Sequence, residues 1–306
     1  MKAIVTGALQ ATAEDLAALE KLGLEIKLHP DERAEVPNPE HYEVAICNNL
    51  FGFHDLDHFS NLKYIQLTAA GMDRVPLDRI RERGIEVRNA AGVYSIPMAE
   101  FALWGVLELY KQGRFFAENQ RLHRWEKHRH LRELSGKTVL IVGCGGVGGE
   151  CARRFSAFGC RCVGIARSER QQPYFDMIHP MSQLPDLLPQ ADVVVLALPL
   201  TADTRHLFDD AMFARMKAGS IFVNLARGAI ADTDALLRAL SGILSGAVVD
   251  VFESEPLPED SPLWDAENLI LTPHNSFVGE QNHERMMDTV IRNLNHWRAG
   301  HENAPL

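Results

Sequence analysis

The sequence predicts an α/β fold with two doubly wound parallel sheets, and three observations support this prediction. Short runs of β-branched residues alternate with amphipathic stretches along the whole chain. The runs are apolar on both faces, which is typical of parallel strands that helices cover on both sides. The length of 306 residues exceeds what a single core needs, so we expect two α/β domains.

The first sheet is predicted from five apolar runs near the start of the chain. They cover residues 2–6, 24–28, 43–47, 63–67 and 85–88. Amphipathic segments separate the runs, so each strand is expected to reach the next through a helical crossover.

A second sheet is predicted from the later runs, and the segments around it define the domains. The runs cover residues 138–142, 161–165, 193–198, 221–225, 247–251 and 268–272. A helix-like segment over 98–120 precedes them. An amphipathic segment over 280–299 follows them, and no strand is predicted after it. We expect this last segment to cross back onto the first unit. The predicted domains are residues 1–96 with 277–306, and residues 97–276.

A polar connector rich in arginine and histidine joins the helix at 98–120 to the second sheet. His123, His128 and His130 lie in it, but no cysteine or carboxylate accompanies them at metal-ligand spacing. We interpret the connector as a solvated, mixed-charge linker and predict no metal site.

Composition excludes several classes of protein. The net charge is −10, with acidic residues spread along the chain, which argues against nucleic acid and anionic membranes as partners. No apolar stretch is long enough for a membrane span, and the first residues lack the features of a signal peptide. The five cysteines are odd in number and are interpreted as reduced structural thiols. We therefore expect a cytoplasmic protein.

A glycine motif follows the first strand of the second sheet. Residues 143–148 read Gly-Cys-Gly-Gly-Val-Gly between an apolar run and a helix start, the context in which Gly-x-Gly-x-x-Gly indicates dinucleotide binding. The first two glycines allow a tight turn and close approach to a pyrophosphate, and Gly148 allows the helix to pack on the strand. The predicted cofactor contacts here are Gly143, Gly145, Gly146 and Val147.

Three chemically useful side chains follow neighbouring strands of the same predicted sheet. They are Arg227, Glu255 and His274. In open α/β sheets the ligand lies beyond the carboxyl ends of the strands. With a bound dinucleotide as the hydride source, a guanidinium, a proton donor and an acid that orients the donor are the side chains that reduction of a 2-keto acid needs.

Five segments carry a family resemblance. They read TVLIVGCGGVG, LALPLTADTRHL, FVNLARGAIADTDALLRAL, GAVVDVFESEPLPEDSPLW and NLILTPHNSFVG. Together they resemble signature segments of the D-isomer-specific 2-hydroxyacid dehydrogenases, over about residues 60–285. The resemblance implies a Rossmann cofactor domain inserted in a discontinuous, flavodoxin-like substrate domain. It also implies reversible reduction of a small 2-keto acid, of the glyoxylate or hydroxypyruvate kind, to the D-2-hydroxy acid.

The resemblance assigns roles to the three side chains. Arg227 polarises the keto oxygen and contacts the substrate carboxylate, and His274 exchanges a proton with that oxygen. Glu255 hydrogen-bonds His274. Glu253 is the nearby alternative acid, but only Glu255 occupies the Glu-Pro position of the family.

The resemblance also assigns substrate and cofactor contacts. Backbone N–H groups of Ala70 and Gly71 would hold the substrate carboxylate, and Tyr94 would lie near the substrate side chain or serve as packing bulk. Asp250 would take the nicotinamide carboxamide. The remaining predicted cofactor contacts are Leu198, Pro199, Thr204, Leu225 and Ala226.

One departure from the dinucleotide pattern concerns the second strand. An acid that accepts hydrogen bonds from the adenosine ribose is expected at its end, but this chain has Ala166 there, followed by Arg167 and Ser168. A carboxylate would repel a 2′-phosphate, whereas Arg167, Ser168 and also Arg170 can bind one. The sequence therefore predicts that NADP is preferred over NAD; the alternative is an exposed basic turn without a ligand.

Other interpretations stay open at this point. The same fold can serve as a dinucleotide-sensing binding protein or co-repressor with little turnover. Formate oxidation on the same scaffold is the rival among enzymes, and glutamate at position 255 argues against it. The family implies a homodimer built around the apolar helix at 98–120, and a monomer with that helix under the connector is the alternative. The sequence does not identify the keto acid.

Overall fold

The computed structural model describes residues 1–72 and 75–302. The predicted domain end at 303–306 lies outside the described residues. In the described part of the chain, no helix is both long and apolar enough to cross a membrane.

The chain divides into two compact units. Unit 1 comprises Met1–Tyr94 with Gly279–Leu306, and unit 2 comprises Ser95–Val278. These divisions lie two residues from the domain boundaries drawn from the sequence.

Unit 1 contains a five-stranded sheet in which every strand pairs in parallel with its neighbours. The strands are β1 (Lys2–Thr6), β2 (Glu25–His29), β3 (Val44–Cys47), β4 (Tyr64–Leu67) and β5 (Glu86–Arg88). Their order is β2-β1-β3-β4-β5, the flavodoxin-like arrangement of a doubly wound sheet. The ladders pair residues of the predicted runs, with ends shifted by one residue.

Helices cover both faces of this sheet. They are α1 (Ala13–Lys21), α2 (Leu50–Phe53), α3 (Leu77–Glu82) and the carboxyl-terminal α10, which spans Asn282–Glu302. A capping box of Thr12 and Asp15 begins α1. On one face Val290, Leu294 and Trp297 of α10 are buried in the same core cluster as strand residues. Helix α10 therefore supplies part of the core of unit 1.

Unit 2 contains a seven-stranded parallel sheet. The strands are β6 (Thr138–Val142), β7 (Arg161–Ala166), β8 (Met177–Pro180), β9 (Val193–Leu196), β10 (Ser220–Asn224), β11 (Leu244–Val249) and β12 (Leu269–Leu271). Their order is β12-β11-β10-β9-β6-β7-β8, in which the strand order reverses beside the first strand, as in a Rossmann fold. The predicted fold class of two doubly wound parallel α/β domains is thus confirmed. Strand β8 was absent from the prediction, because its four residues are partly polar and end in proline at the sheet edge.

Helices of unit 2 pack on both faces of its sheet. They are α4 (Ser95–Lys111), α5 (Gly113–Arg121), α6 (Gly146–Ala157), α7 (Leu184–Leu187), α8 (Asp210–Ala214) and α9 (Thr233–Leu240). The single helix predicted over 98–120 is wrong, since the chain breaks at Gln112 between α4 and α5. Gln112 has a left-handed backbone with φ of 55°, which cannot continue a right-handed helix.

Candidate active site

The carboxyl edge of the second sheet brings together the segments with the predicted chemistry. In the sheet β11 lies between β10 and β12. Arg227 follows β10, Glu255 follows β11 and His274 follows β12. Because all three strands are parallel, these side chains leave the same edge of the sheet.

His274 and Glu255 form a direct pair. Nδ1 of His274 lies 2.7 Å from Oε2 of Glu255, and both side chains are about one third exposed. The other carboxylate oxygen, Oε1, accepts a hydrogen bond from the N–H of Phe252 at 2.9 Å. Glu255 is therefore fixed at both oxygens, and Nε2 is the imidazole nitrogen left unengaged by this pair.

A fully buried carboxylate shapes the turn that carries His274. Asp250 Oδ1 accepts hydrogen bonds from the Thr272 hydroxyl at 2.6 Å and the Asn275 N–H at 2.7 Å, and Oδ2 accepts one from the Ser276 N–H at 2.9 Å. The N–H of His274 donates to the Asp250 carbonyl at 2.8 Å, and its φ is 50°. Such a left-handed conformation costs free energy unless the surroundings enforce it. The structure thus gives Asp250 an organising role, and its contact with a nicotinamide carboxamide stays a prediction.

Arg227 lies in a turn that Asn224 stabilises. The buried Asn224 side chain donates to the Arg227 carbonyl at 3.1 Å and accepts from the Ala226 N–H at 3.1 Å. The guanidinium is half-buried, and its Nη1 donates to the Ala226 carbonyl at 2.8 Å. A Cβ on the next residue, Gly228, would lie 1.9 Å from the carbonyl carbon of Phe252. The segments that carry Arg227 and Glu255 are therefore in backbone contact.

The glycine motif has the geometry that a pyrophosphate needs. Gly143 has φ of 106°, and a Cβ there would lie 2.4 Å from the Ala197 carbonyl oxygen. A Cβ on Gly148 would lie 1.9 Å from the Gly143 carbonyl oxygen, whereas a Cβ on Gly145 would enter open space. Gly145 and Gly146 are exposed at the amino terminus of α6, where backbone N–H groups point outward. These residues fit a bound dinucleotide, with Gly145 marking the open approach.

The other predicted cofactor contacts lie at the same sheet edge. Leu198, Leu225 and Ala226 have buried side chains, so any contact there would be made by the backbone or by little side-chain surface. The Thr204 hydroxyl donates to the Pro199 carbonyl at 2.8 Å and closes that loop. Val147 is half-buried at the start of α6.

The turn after β7 contains a contact with the glycine motif. Ala166 is buried, and Arg167 and Ser168 are exposed. Nη2 of Arg170 donates to the Cys144 carbonyl inside the motif at 2.8 Å. Gln172 also approaches the motif, since a Cβ on Gly149 would lie 3.0 Å from its Nε2. No motif in the sequence marks Gln172 as a site residue. Gln172 comes close to the glycine motif only because the turn after β7 folds back toward it.

Unit 1 places Ala70, Gly71 and Tyr94 around one loop. The Tyr94 hydroxyl donates to the Thr68 carbonyl at 2.5 Å, and the Asn89 side chain donates to the Ala70 carbonyl at 2.6 Å. Ala70 is exposed and Gly71 is half-buried. Burial raises the pKa of the Tyr94 hydroxyl, so it remains a neutral donor. The loop is braced through its carbonyl groups, which leaves its N–H groups as candidates for an anion.

The histidines of the connector do not form a recognisable metal centre. His128 stacks edge-on against Phe115, with ring centroids 5.1 Å apart. Over residues 1–72 and 75–302 no group of three potential ligands lies close enough to hold a metal ion.

Comparison with known proteins gives consistent matches. The family model described as "D-isomer specific 2-hydroxyacid dehydrogenase, NAD binding domain" matches residues 103–276. A glyoxylate reductase of Thermofilum pendens is 33% identical over 247 residues, which cover 78% of this chain and 73% of that protein.

Solved structures show the same architecture. A D-isomer specific 2-hydroxyacid dehydrogenase from Xanthobacter autotrophicus Py2, in complex with NADPH and MES, has a TM-score of 0.81 and 28% identity, covering 97% of this chain and 95% of that chain. A D-lactate dehydrogenase from Aquifex aeolicus, in complex with NAD and lactic acid, has a TM-score of 0.77 and 25% identity, covering 97% and 96%.

Proposed function

Because this chain belongs to the D-isomer specific 2-hydroxyacid dehydrogenases and has their nicotinamide dinucleotide-binding domain, we propose that it reduces a small 2-keto acid to the D-2-hydroxy acid. The observation that carries the proposal is the 2.7 Å pair of His274 and Glu255 at the sheet edge that also holds Arg227 and the glycine motif. The reaction adds a hydride to the keto carbon and a proton to the keto oxygen.

His274 and Arg227 of unit 2 have different roles in the proposed reduction. When bound, the dinucleotide supplies the hydride. His274 donates the proton to the keto oxygen from Nε2, since Nδ1 is held by Glu255. Arg227 stabilises the negative charge that develops on this oxygen and binds the substrate carboxylate with its planar fork. In the reverse direction His274 accepts the proton from the hydroxy acid.

We propose the N–H groups of Ala70 and Gly71 as further donors to the substrate carboxylate. The argument rests on unit 1 alone: its loop is fixed by Tyr94 and Asn89 through carbonyl oxygens, so the amides are oriented before a ligand arrives. Fixed amide dipoles favour an anion without reorganisation.

We propose NADPH as the preferred reductant. Ala166 leaves no carboxylate at the ribose position, and Arg167, Ser168 and Arg170 form the turn beside the glycine motif. A guanidinium binds a phosphate by charge-assisted hydrogen bonds. The relative from Xanthobacter autotrophicus is described with NADPH and that from Aquifex aeolicus with NAD, so the preference of this chain rests on its own turn.

We also propose that the protein acts as a homodimer. Several large apolar side chains are exposed on α4, on α5 and in the connector: Trp104, Phe116, Leu122, Trp125 and Leu131. Trp125 is 95% exposed, and its burial against a second copy would remove a large apolar area from water.

The reaction is tested with a panel of 2-keto acids from glyoxylate to phenylpyruvate, assayed with NADPH and NADH. The purified protein should reduce at least one of them, and chiral analysis should give the D-hydroxy acid. His274→Asn should lower kcat by about 10²- to 10⁴-fold, the range of general acid catalysis, and should leave dinucleotide binding intact.

The control is His296→Asn, which changes an exposed histidine of α10 in unit 1 and should keep wild-type rates. Dinucleotide binding with no turnover on any keto acid would refute the proposal and favour a dinucleotide-sensing protein. Wild-type rates in His274→Asn would refute the assigned proton donor.

A further inference from the structure

Glu253 connects three segments of unit 2. Its Oε1 accepts hydrogen bonds from the Thr233 N–H at 3.0 Å and the Thr233 hydroxyl at 2.7 Å. Its Oε2 lies 2.8 Å from Nε2 of His206. The residue itself lies between Asp250 and Glu255 on the segment that follows β11. A single carboxylate thus links the loops that follow β9, β10 and β11.

Each connected segment leads to a residue of the candidate active site. Thr233 is the first residue of α9, and only Asp232 separates it from the turn that begins at Arg227 and ends at Ala231. The backbone N–H of His206 donates to the Ala229 carbonyl in that turn at 2.8 Å. The contact of Gly228 with the Phe252 backbone brings the same turn against the residue before Glu253. The position of Arg227 therefore depends on contacts that Glu253 stabilises.

A second path runs from Glu253 to His274. The Phe252 N–H, one residue before Glu253, donates to Oε1 of Glu255 at 2.9 Å. Oε2 of Glu255 lies 2.7 Å from Nδ1 of His274. Fixing the backbone at residues 252–253 thus fixes the carboxylate that orients the imidazole.

Charge at this cluster favours the ionised carboxylate. Partial burial by itself raises the pKa of the Glu253 carboxyl, but hydrogen bonds from Thr233 and His206 outweigh burial and hold the pKa below its ordinary value. Asp232 also faces His206, with Oδ2 at 4.0 Å from Nδ1. Glu253 is therefore ionised at neutral pH and keeps its acceptor role.

We propose that Glu253 is a positioning residue, which holds Arg227 and the Glu255–His274 pair in their reactive arrangement without touching the substrate. This inference rests on the proposed reduction of a 2-keto acid. It assigns a function to an acid that lies outside the Glu-Pro position. Misplacing reacting groups by as little as 1 Å is costly in rate, so the expected effect is on turnover.

The test compares Glu253→Ala and Glu253→Gln with Glu259→Gln, a matched control on an exposed acid of the same loop. We expect Glu253→Ala to lower kcat by about 10- to 100-fold, with an unchanged Kd for the dinucleotide. Glu253→Gln should recover part of the rate, because its amide oxygen still accepts from Thr233. Glu259→Gln should match the wild type.

A second measurement does not require turnover. Long-range ¹H–¹⁵N spectra of the histidine side chains report which ring nitrogen carries a proton, and the His274→Asn variant assigns the His274 signals. Glu253→Ala should alter the His274 signals in the free protein, and Glu259→Gln should not. Thr233→Val, which removes only the hydroxyl donor, should give a smaller change in the His274 signals. This variant replaces Glu253→Ala in the test if Glu253→Ala fails to fold.

The outcomes separate this inference from the proposed function. A wild type that reduces no keto acid refutes the proposed function, and the histidine spectra then still decide whether Glu253 positions His274. The positioning role is overturned if the wild type is active and folded Glu253→Ala has the same kcat and the same His274 signals as the wild type.

Discussion

At the residue scale, Asp250 shows that a side chain located from the sequence can have contacts that the sequence does not reveal. The family resemblance implies that Asp250 takes the nicotinamide carboxamide. Here the carboxylate is fully buried and accepts from Thr272, Asn275 and Ser276. Those donors come from a turn more than twenty residues away, so only the folded chain reveals them.

Cofactor choice is the prediction that belongs to single residues. Arg167→Ala should raise the KM for NADPH by about ten- to a hundredfold, since a hydrogen bond to a charged group contributes about 1.5–3 kcal/mol. KM for NADH should change little. Ala166→Asp should go further in the same direction, because a carboxylate repels the 2′-phosphate and accepts from the free ribose of NADH.

Steady-state kinetics with both reductants, with the exposed Arg215→Ala as control, decides between the alternatives. If kcat/KM of the unmodified protein is the same for NADH and NADPH, the basic turn does not bind the 2′-phosphate. The proposed reduction of a keto acid would be unaffected by that result.

At the scale of elements, apolar patterns in the sequence predict most of the strands. They do not predict features that depend on the backbone conformation of a single residue. The buried strands β6, β9 and β10 each contain at least three consecutive apolar residues, so they are visible in the sequence. The edge strand β8 is short and partly polar, and the break at Gln112 depends on a backbone conformation that glutamine rarely adopts. Hydrogen bonds between distant segments, such as those of Glu253, have no local pattern at all.

One element-scale prediction concerns the amino ends of the strands in unit 2. Asp192, just before β9, accepts from the N–H of Thr138 at 3.0 Å and from Nζ of Lys217 at 2.7 Å. Burial alone raises the pKa of this carboxyl, but the hydrogen bonds from Lys217 and Thr138 outweigh burial and lower the pKa below its ordinary value of 3.8. The ionised form therefore stabilises the fold above about pH 4, and this contribution is lost as the pH falls through the folded pKa.

Asp192→Asn should consequently reduce the free energy of unfolding at pH 7 by about 1–2 kcal/mol, which corresponds to a few degrees in Tm. The difference between variant and wild type should shrink as the pH falls below 3.8. Thermal unfolding followed by circular dichroism across this range measures it. Asp203→Asn, at an exposed position, is the control, and a difference that does not depend on pH would contradict the role of the charge.

At the scale of the whole molecule, the connector between α5 and β6 is the basis for the proposed dimer. Near its end Arg132 donates to the Gly219 carbonyl at 2.8 Å and lies over the Tyr110 ring at 4.1 Å. The connector is thus anchored, although Trp125 within it is almost fully exposed. Its polar composition predicts a solvated linker, whereas the anchoring of its end by Arg132 has no local signal in the sequence.

The change Trp125→Glu, combined with Leu131→Glu, should shift the protein from dimer toward monomer, because charges replace apolar surface that a second copy would bury. Sedimentation velocity over a range of concentrations measures the shift. Trp264→Glu is the matched control, since Trp264 is 53% exposed on a different loop and should leave the mass unchanged. A wild type that sediments as a monomer at all concentrations would exclude the dimer.

The return of the chain to unit 1 at Gly279 has a consequence for synthesis on the ribosome. The strands β1–β5 emerge first, but the α10 residues that bury one face of their sheet emerge only after all of unit 2. At 5–20 residues per second this delay lasts roughly ten to forty seconds. During that interval the part of the core that α10 supplies would be missing, although Leu19 of α1 belongs to the same cluster. Unit 2, which is continuous in sequence, can therefore complete its core before unit 1 does.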